Sequence, residues 1–122
     1  MLGSPSNRRF EGAPAARVCG VEVPVAVGRT RLLGLARLDR ADAGAGLLIP
    51  RCAAVHTFGM RFELDVVFLD DRLRPLASRR SLPPRRLAAH RGARAVLELP
   101  SPAGDSGKFG TVGGEPGALP TG

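Results

Sequence analysis

The chain has no tryptophan and no tyrosine, and its only aromatic rings besides histidine are five phenylalanines. Proteins that grip single-stranded nucleic acid stack bases on aromatic side chains. The arginine-rich stretch 72–94 contains no aromatic residue, so contact with nucleic acid is expected to be non-specific at most. No Gly-rich phosphate loop and no recognition helix accompanies that stretch. Cysteine, histidine and methionine are scarce, at two each. Cys19 and Cys52 fit no spaced metal motif, so no metal or cofactor is expected, and free, buried thiols are. Nowhere do about 18 apolar residues run together, and no apolar run of roughly 7–15 residues follows Arg8 and Arg9. Neither a membrane span nor a secretory leader is therefore expected, and the expected location is cytoplasmic. Lysine is nearly absent: the net charge of +7 comes from one Lys and 17 Arg against 11 acids. A GC-rich coding sequence accounts for such a bias, as does a polyanion partner.

At 122 residues the chain has room for one domain. Residues 1–16 and 101–122 are rich in Gly, Pro and Ser without periodicity, and both are expected to be disordered. The domain is expected over 17–100. "VEVPVAV" (21–27) alternates valines as a half-buried strand that Pro24 confines to an edge or bulge. Leu32, Leu33, Leu35 and Leu38 are spaced for one short helix within 29–46, ended by Gly44 or Gly46. "LLIP" (47–50), "VHTFGM" (55–60), "LDVVFL" (64–69), "LRPLAS" (73–78) and "AVLELP" (95–100) read as further strands. "LDVVFL" is apolar on both faces and is expected to be central. Residues 81–94 read as a basic loop with a helical turn near Leu87. The pattern predicts a mainly β fold: a compact, antiparallel, partly closed barrel-like sheet with one short helix, small α+β being the variant. A monomer is expected.

Several of these motifs coincide with those of a known family. Gly34-Leu35, Gly46-Leu47-Leu48-Ile49, Cys52, His56-Thr57-Phe58-Gly59-Met60-Arg61, Leu64-Asp65-Val66-Val67-Phe68-Leu69-Asp70 and Leu97-Glu98-Leu99-Pro100 resemble the DUF192 family, a domain of unknown function. The resemblance covers about residues 20–100. It implies a small β-rich domain and no assigned activity. Similar members continue past "LELP" into a final "GD" segment that completes the sheet. Here "SPAGDSGKFGTVGG" shows no strand pattern, which predicts an unprotected edge.

"CAAVHTFGMRFELDVVFLDD" (52–71) is the densest stretch chemically. Cys52, His56 and Asp65 allow a hydrolase-like reading: nucleophile, base and orienting carboxylate. On an extended chain, however, residues 52 and 56 lie about 13 Å apart, whereas Cys52 as a buried small hydrophobe and Met60 as core filler need no special geometry. Asp65 sits in the most apolar strand and requires a partner; Arg61, His56, Thr57 or a nearby backbone N–H are the candidates. The favoured reading is a non-enzymatic module that binds a partner protein or a small anionic ligand through His56, Thr57, Arg61 and Asp65. A further alternative is weak polyanion binding through Arg79, Arg80, Arg85, Arg86 and Arg91, against which stands an ordinary solvated basic face.

Overall fold

The computed structural model of the chain describes residues 9–102. In chain order these form β1 (Ala15–Val18), β2 (Val21–Pro24), α1 (Thr30–Leu33), α2 (Arg40–Ala43), β3 (Leu47–Pro50), β4 (Ala54–His56), β5 (Leu64–Leu69), β6 (Pro75–Leu82), β7 (Leu87–Ala89) and β8 (Ala95–Pro100). Strands predominate and pair antiparallel throughout. One four-stranded sheet, ordered β3-β8-β5-β6, is accompanied by the two-stranded sheets β1-β2 and β4-β7. The sheets do not close into a barrel. An isolated parallel bridge, Val25 to Leu48, ties the β1-β2 hairpin to the outer side of β3.

Strand alternation divides the large sheet into two buried faces. Leu47, Ile49, Leu64, Val66, Phe68 and Val96 pack on one side with Leu35, Leu38, Val55, Met60 and Phe62. Leu48, Val67, Leu69, Ala95 and Leu97 pack on the other with Val18 and Val23. The interior position of β5 is the one its doubly apolar sequence predicts. β8 is interior as well, so its two sides are paired with β3 and β5 and present no open edge. The outer strand β6 carries Pro75, Arg79 and Arg80, a proline and charges that discourage pairing with another chain.

Three local expectations are corrected. The single helix within 29–46 is two one-turn helices, because Gly34 adopts φ 55°, ψ −130° and ends the first. The turn near Leu87 is a strand, β7, held by β4 in the register His56–Leu87. Neither thiol is buried: both cysteines are free, Cys19 exposed and Cys52 half-buried. Cys19 and Gly20 form the two-residue β1-β2 turn, both at positive φ, the pattern of a type I′ hairpin.

Arginines hold the irregular segment between β2 and β3 in place. Arg9 donates to the carbonyls of Gly34 and Ala36, Arg31 to those of Pro50 and Arg51, and Arg40 to that of Ser101. Phe10 packs on the first core face. The folded body thus reaches beyond the 17–100 span drawn from composition at both ends. Residues 1–8 and 103–122, most of the two stretches expected to be disordered, lie outside the described residues.

Candidate functional site

β8 projects Val96 and Glu98 from the first sheet face. Glu98 stands between its cross-strand neighbours Leu47 and Val66. It is 3% exposed, and its Oε1 has no hydrogen-bond partner among the described residues. Burial pushes its carboxyl up from 4.5 to about 7, against the opposing pull of a hydrogen bond from the Leu35 backbone N–H. The Gly34 backbone passes directly over this carboxyl. A Cβ at Gly34 would lie 2.9 Å from Oε1, so glycine supplies both the backbone conformation and the space.

Glu98 lines a cavity of about 200 Å³ between the sheet, α1 and β4. Leu35, Ile49, Val55 and Met60 form apolar walls, while Arg31, Cys52 and His56 bring polar groups to it. Leu32 and Leu33 line it from α1 although they are 79% and 43% exposed. They leave an apolar lip facing solvent. Arg31 Nε and Nη2 are engaged by the Pro50 and Arg51 carbonyls, whereas no bond occupies Nη1 among the described residues.

The residues singled out by sequence do not all meet here. Cys52 and His56 share the cavity lining, but neither bonds the other: the Cys52 thiol donates to the Ala54 carbonyl at 3.1 Å. His56 is exposed, and its Nδ1 accepts the Phe58 backbone N–H at 3.2 Å. A neutral imidazole so held carries its proton on Nε2. Asp65 alternates with Val66 and so projects from the opposite face of the sheet, beside Leu99. Its Oδ1 accepts from Ser81 N at 2.8 Å and from Ser101 Oγ at 2.6 Å. The Ser81 N–H is available because the β5-β6 register shifts between Leu64 and Val66, with Ser81 at φ 53°. The carboxylate therefore satisfies a bulge rather than His56, Thr57 or Arg61. Asp65→Ala is expected to cost about 1–3 kcal/mol in denaturant melts, and Asp65→Asn less, because Asn keeps an acceptor oxygen. A neutral Asp65→Ala would show that these two bonds carry no net stability.

Thr57 is fully buried and its polar groups are used within the fold. It donates its hydroxyl to Pro83 O, accepts Arg86 N on the same oxygen, and donates its N–H to Arg86 O. It fastens the loop after β4 to the one before β7. Arg61 pairs with Asp39 at 3.1 Å on the surface. Met60 is buried in the core and also borders the cavity. Arg79, Arg80, Arg85, Arg86 and Arg91 are exposed, and none is in an ion pair among the described residues. No group of three or more His, Cys, Asp or Glu side chains among the described residues is arranged to hold a metal ion. No helix among them is long and apolar enough to cross a membrane.

The fold and cavity define a small antiparallel β domain in which a helical segment roofs one face of a four-stranded sheet. The chain belongs to the DUF192 family, described as an uncharacterised ACR, which matches residues 14–115. Two solved structures share its fold. One, from Sinorhizobium meliloti and described as a proposed transcription regulator, is 20% identical with a TM-score of 0.59, over 76% of this chain and 74% of its own. The other, a protein of unknown function from Novosphingobium aromaticivorans, is 17% identical with a TM-score of 0.56, over 90% of this chain and 93% of its own. Likeness at such identities concerns the fold alone. No curated protein matches the chain.

Proposed function

We propose that this domain is a non-enzymatic binding module that holds a small ligand in the cavity over Glu98. The observation that carries this reading is an open cavity of about 200 Å³ with apolar walls, whose lining includes a nearly fully buried carboxyl, Glu98. Buried polar atoms are almost always hydrogen-bonded, and the Oε1 of Glu98, without a hydrogen-bond partner among the described residues, makes this carboxyl an exception beside the cavity. Arg31 borders the cavity, and its Nη1, without a hydrogen bond among the described residues, supports an anionic or acceptor group on the ligand. The placement of Asp65 across the sheet from Cys52 and His56 speaks against a three-residue catalytic unit. The exposed arginines of β6 have a sufficient role in guarding the sheet edge.

A thermal-shift panel of small metabolites, run on the wild type and on Ala54→Trp, tests the reading. Ala54 is exposed and lines the cavity, so a large side chain there fills it without entering the core. Compounds that raise the wild-type midpoint are expected to lose their effect on the variant. A panel without binders, or binders indifferent to Ala54→Trp, would remove the support for a cavity ligand.

A further inference from the structure

Six large apolar side chains are exposed among the described residues, and four of them, Leu32, Leu33, Phe58 and Leu87, form one group beside the mouth of the cavity. Three observations join them. Leu32, Leu33 and His56 line the same opening from α1 and β4. His56 and Leu87 are cross-strand partners in the β4-β7 sheet and both are exposed, so they stand side by side on its outer face. The Phe58 ring lies 5.8 Å from that of His56. Phe58 is 51% and Leu87 71% exposed. Single exposed hydrophobics are ordinary, but a contiguous group marks an interaction surface.

The frame of this surface has one sign of charge. The three chain segments that build it, 29–37, 51–60 and 83–91, carry seven arginines and no acidic residue. Backbone bonds seat several of these arginines at its border. Arg37 donates its N–H to the Gly59 carbonyl, next to Phe58. Arg85 and Arg86 donate theirs to the Thr57 carbonyl and hydroxyl, between Phe58 and Leu87. Arg51 is held through its carbonyl by Arg31, which precedes Leu32. None of the seven is in an ion pair among the described residues.

Charge decides between the possible occupants. A second copy of the chain would bring the same cations against these, at a net charge of +7 on each copy. A bilayer is flat, whereas this surface is hollow where the cavity opens. The chain also lacks the tryptophan and tyrosine that are enriched at membrane interfaces. A polyanion without apolar groups would answer the arginines and leave the leucines and Phe58 wet. A polypeptide with acidic residues around large apolar ones answers both.

Beyond the cavity reading, and independently of what fills the cavity, we infer that Leu32, Leu33, Phe58 and Leu87 form a docking surface for an acidic, apolar segment of a partner protein. Burial of the apolar side chains holds the segment, while the arginines steer the encounter and set its salt dependence.

The probe is a fluorescent peptide in which Asp and Glu flank Leu and Phe. It is compared with one in which Ser replaces its Leu and Phe, and with one in which Asn and Gln replace its acids. Anisotropy titrations use the full chain, and NMR follows the backbone amides of Leu33, Phe58 and Leu87. The parent peptide is expected to shift those amides and to bind about tenfold or more tightly than either derivative. Leu32→Ser and Leu87→Ser change exposed side chains and leave the core intact; each is expected to weaken the parent peptide about tenfold. Arg85→Gln with Arg86→Gln should weaken it at low salt and flatten its salt dependence. Arg17→Gln with Arg72→Gln removes the same charge from β1 and from the β5-β6 turn, and should change little. The inference is overturned if the parent peptide does not bind, if either derivative binds as well, or if the Arg17 and Arg72 pair matters as much as the Arg85 and Arg86 pair. It is overturned too if the chain ignores the peptide yet binds vesicles of equal parts phosphatidylcholine and phosphatidylglycerol through Leu32 and Leu87, or self-associates through Leu87. None of these outcomes bears on the cavity reading, which the Ala54→Trp panel decides.

Discussion

Glu98→Gln is expected to make the protein more stable at pH 8 by up to about 3 kcal/mol, and to change it little at pH 4. In the unfolded chain Glu98 titrates near its ordinary 4.5, whereas in the fold burial raises it to about 7. Below 4.5 both states hold the proton and the group contributes no pH dependence. Between 4.5 and 7 the folded state binds more protons than the unfolded one, so stability falls as pH rises. Above 7 the loss is complete and constant. Glutamine has no proton to lose, so the descending limb between 4.5 and 7 should vanish in the variant. Asp70 works in the opposite direction. The backbone N–H of Arg74 first, then that of Arg72 and the Arg74 side chain, hold its carboxyl below 3.8. That contribution is lost in stronger acid and is common to both proteins. Denaturant midpoints followed across pH for the pair provide the check. Parallel curves would mean that Glu98 titrates alike in the folded and the unfolded chain.

Gly46→Ala should be the most damaging single methyl group in the domain, at about 3–5 kcal/mol. Gly46 enters β3 at φ 139°, where an L side chain is strained by about 1–3 kcal/mol. A Cβ there would run into the Glu98 carbonyl oxygen and come within 2.7 Å of Leu99 Cδ2. Both belong to an interior strand that cannot retreat without opening its pairing with β5, and overpacking of this kind costs a further 1–3 kcal/mol or so. For a domain whose whole stability is of the order of 5–15 kcal/mol, that brings unfolding close. Gly44→Ala is the control: its φ of 63° is also positive, but a Cβ there meets nothing within 4 Å. A Gly46→Ala protein within about 1 kcal/mol of the wild type would show that the β3-β8 contact yields easily.

Where side-chain period and strand length coincide, the fold is legible from residues alone. "LLIP", "LDVVFL" and "AVLELP" are β3, β5 and β8 without a residue's error. Segment 29–46 misled because leucines at helical spacing say nothing of a backbone reversal at Gly34, which packs against a carboxyl that arrives 64 positions later. The same distance hid Glu98. An acid in a strand is ordinary if one face is wet, and only the pairing of β8 with both β3 and β5 makes this face dry. The need for a partner that marks Asp65 in its apolar strand applies to Glu98 with greater force. Asp65 found its donors at a bulge and at Ser101, whereas Glu98 Oε1 found none among the described residues. Alternation of Val96 and Glu98 against Ala95, Leu97 and Leu99 was the available signal.

The interior place of β8 also sets an order of events during synthesis. β3 and β5 do not pair with each other; each pairs with β8, the last of the ten elements among the described residues to leave the ribosome. Until Ala95–Pro100 emerges, β5 has only β6 to pair with, and β3 and β5 each keep one backbone edge unsatisfied. Long-range closure of this kind is slow, and it leaves the nascent chain open to misassociation. A ribosome that stalls before Ala95 therefore releases a chain whose β3 and β5 have no strand to separate and join them, a natural substrate for chaperones and proteases.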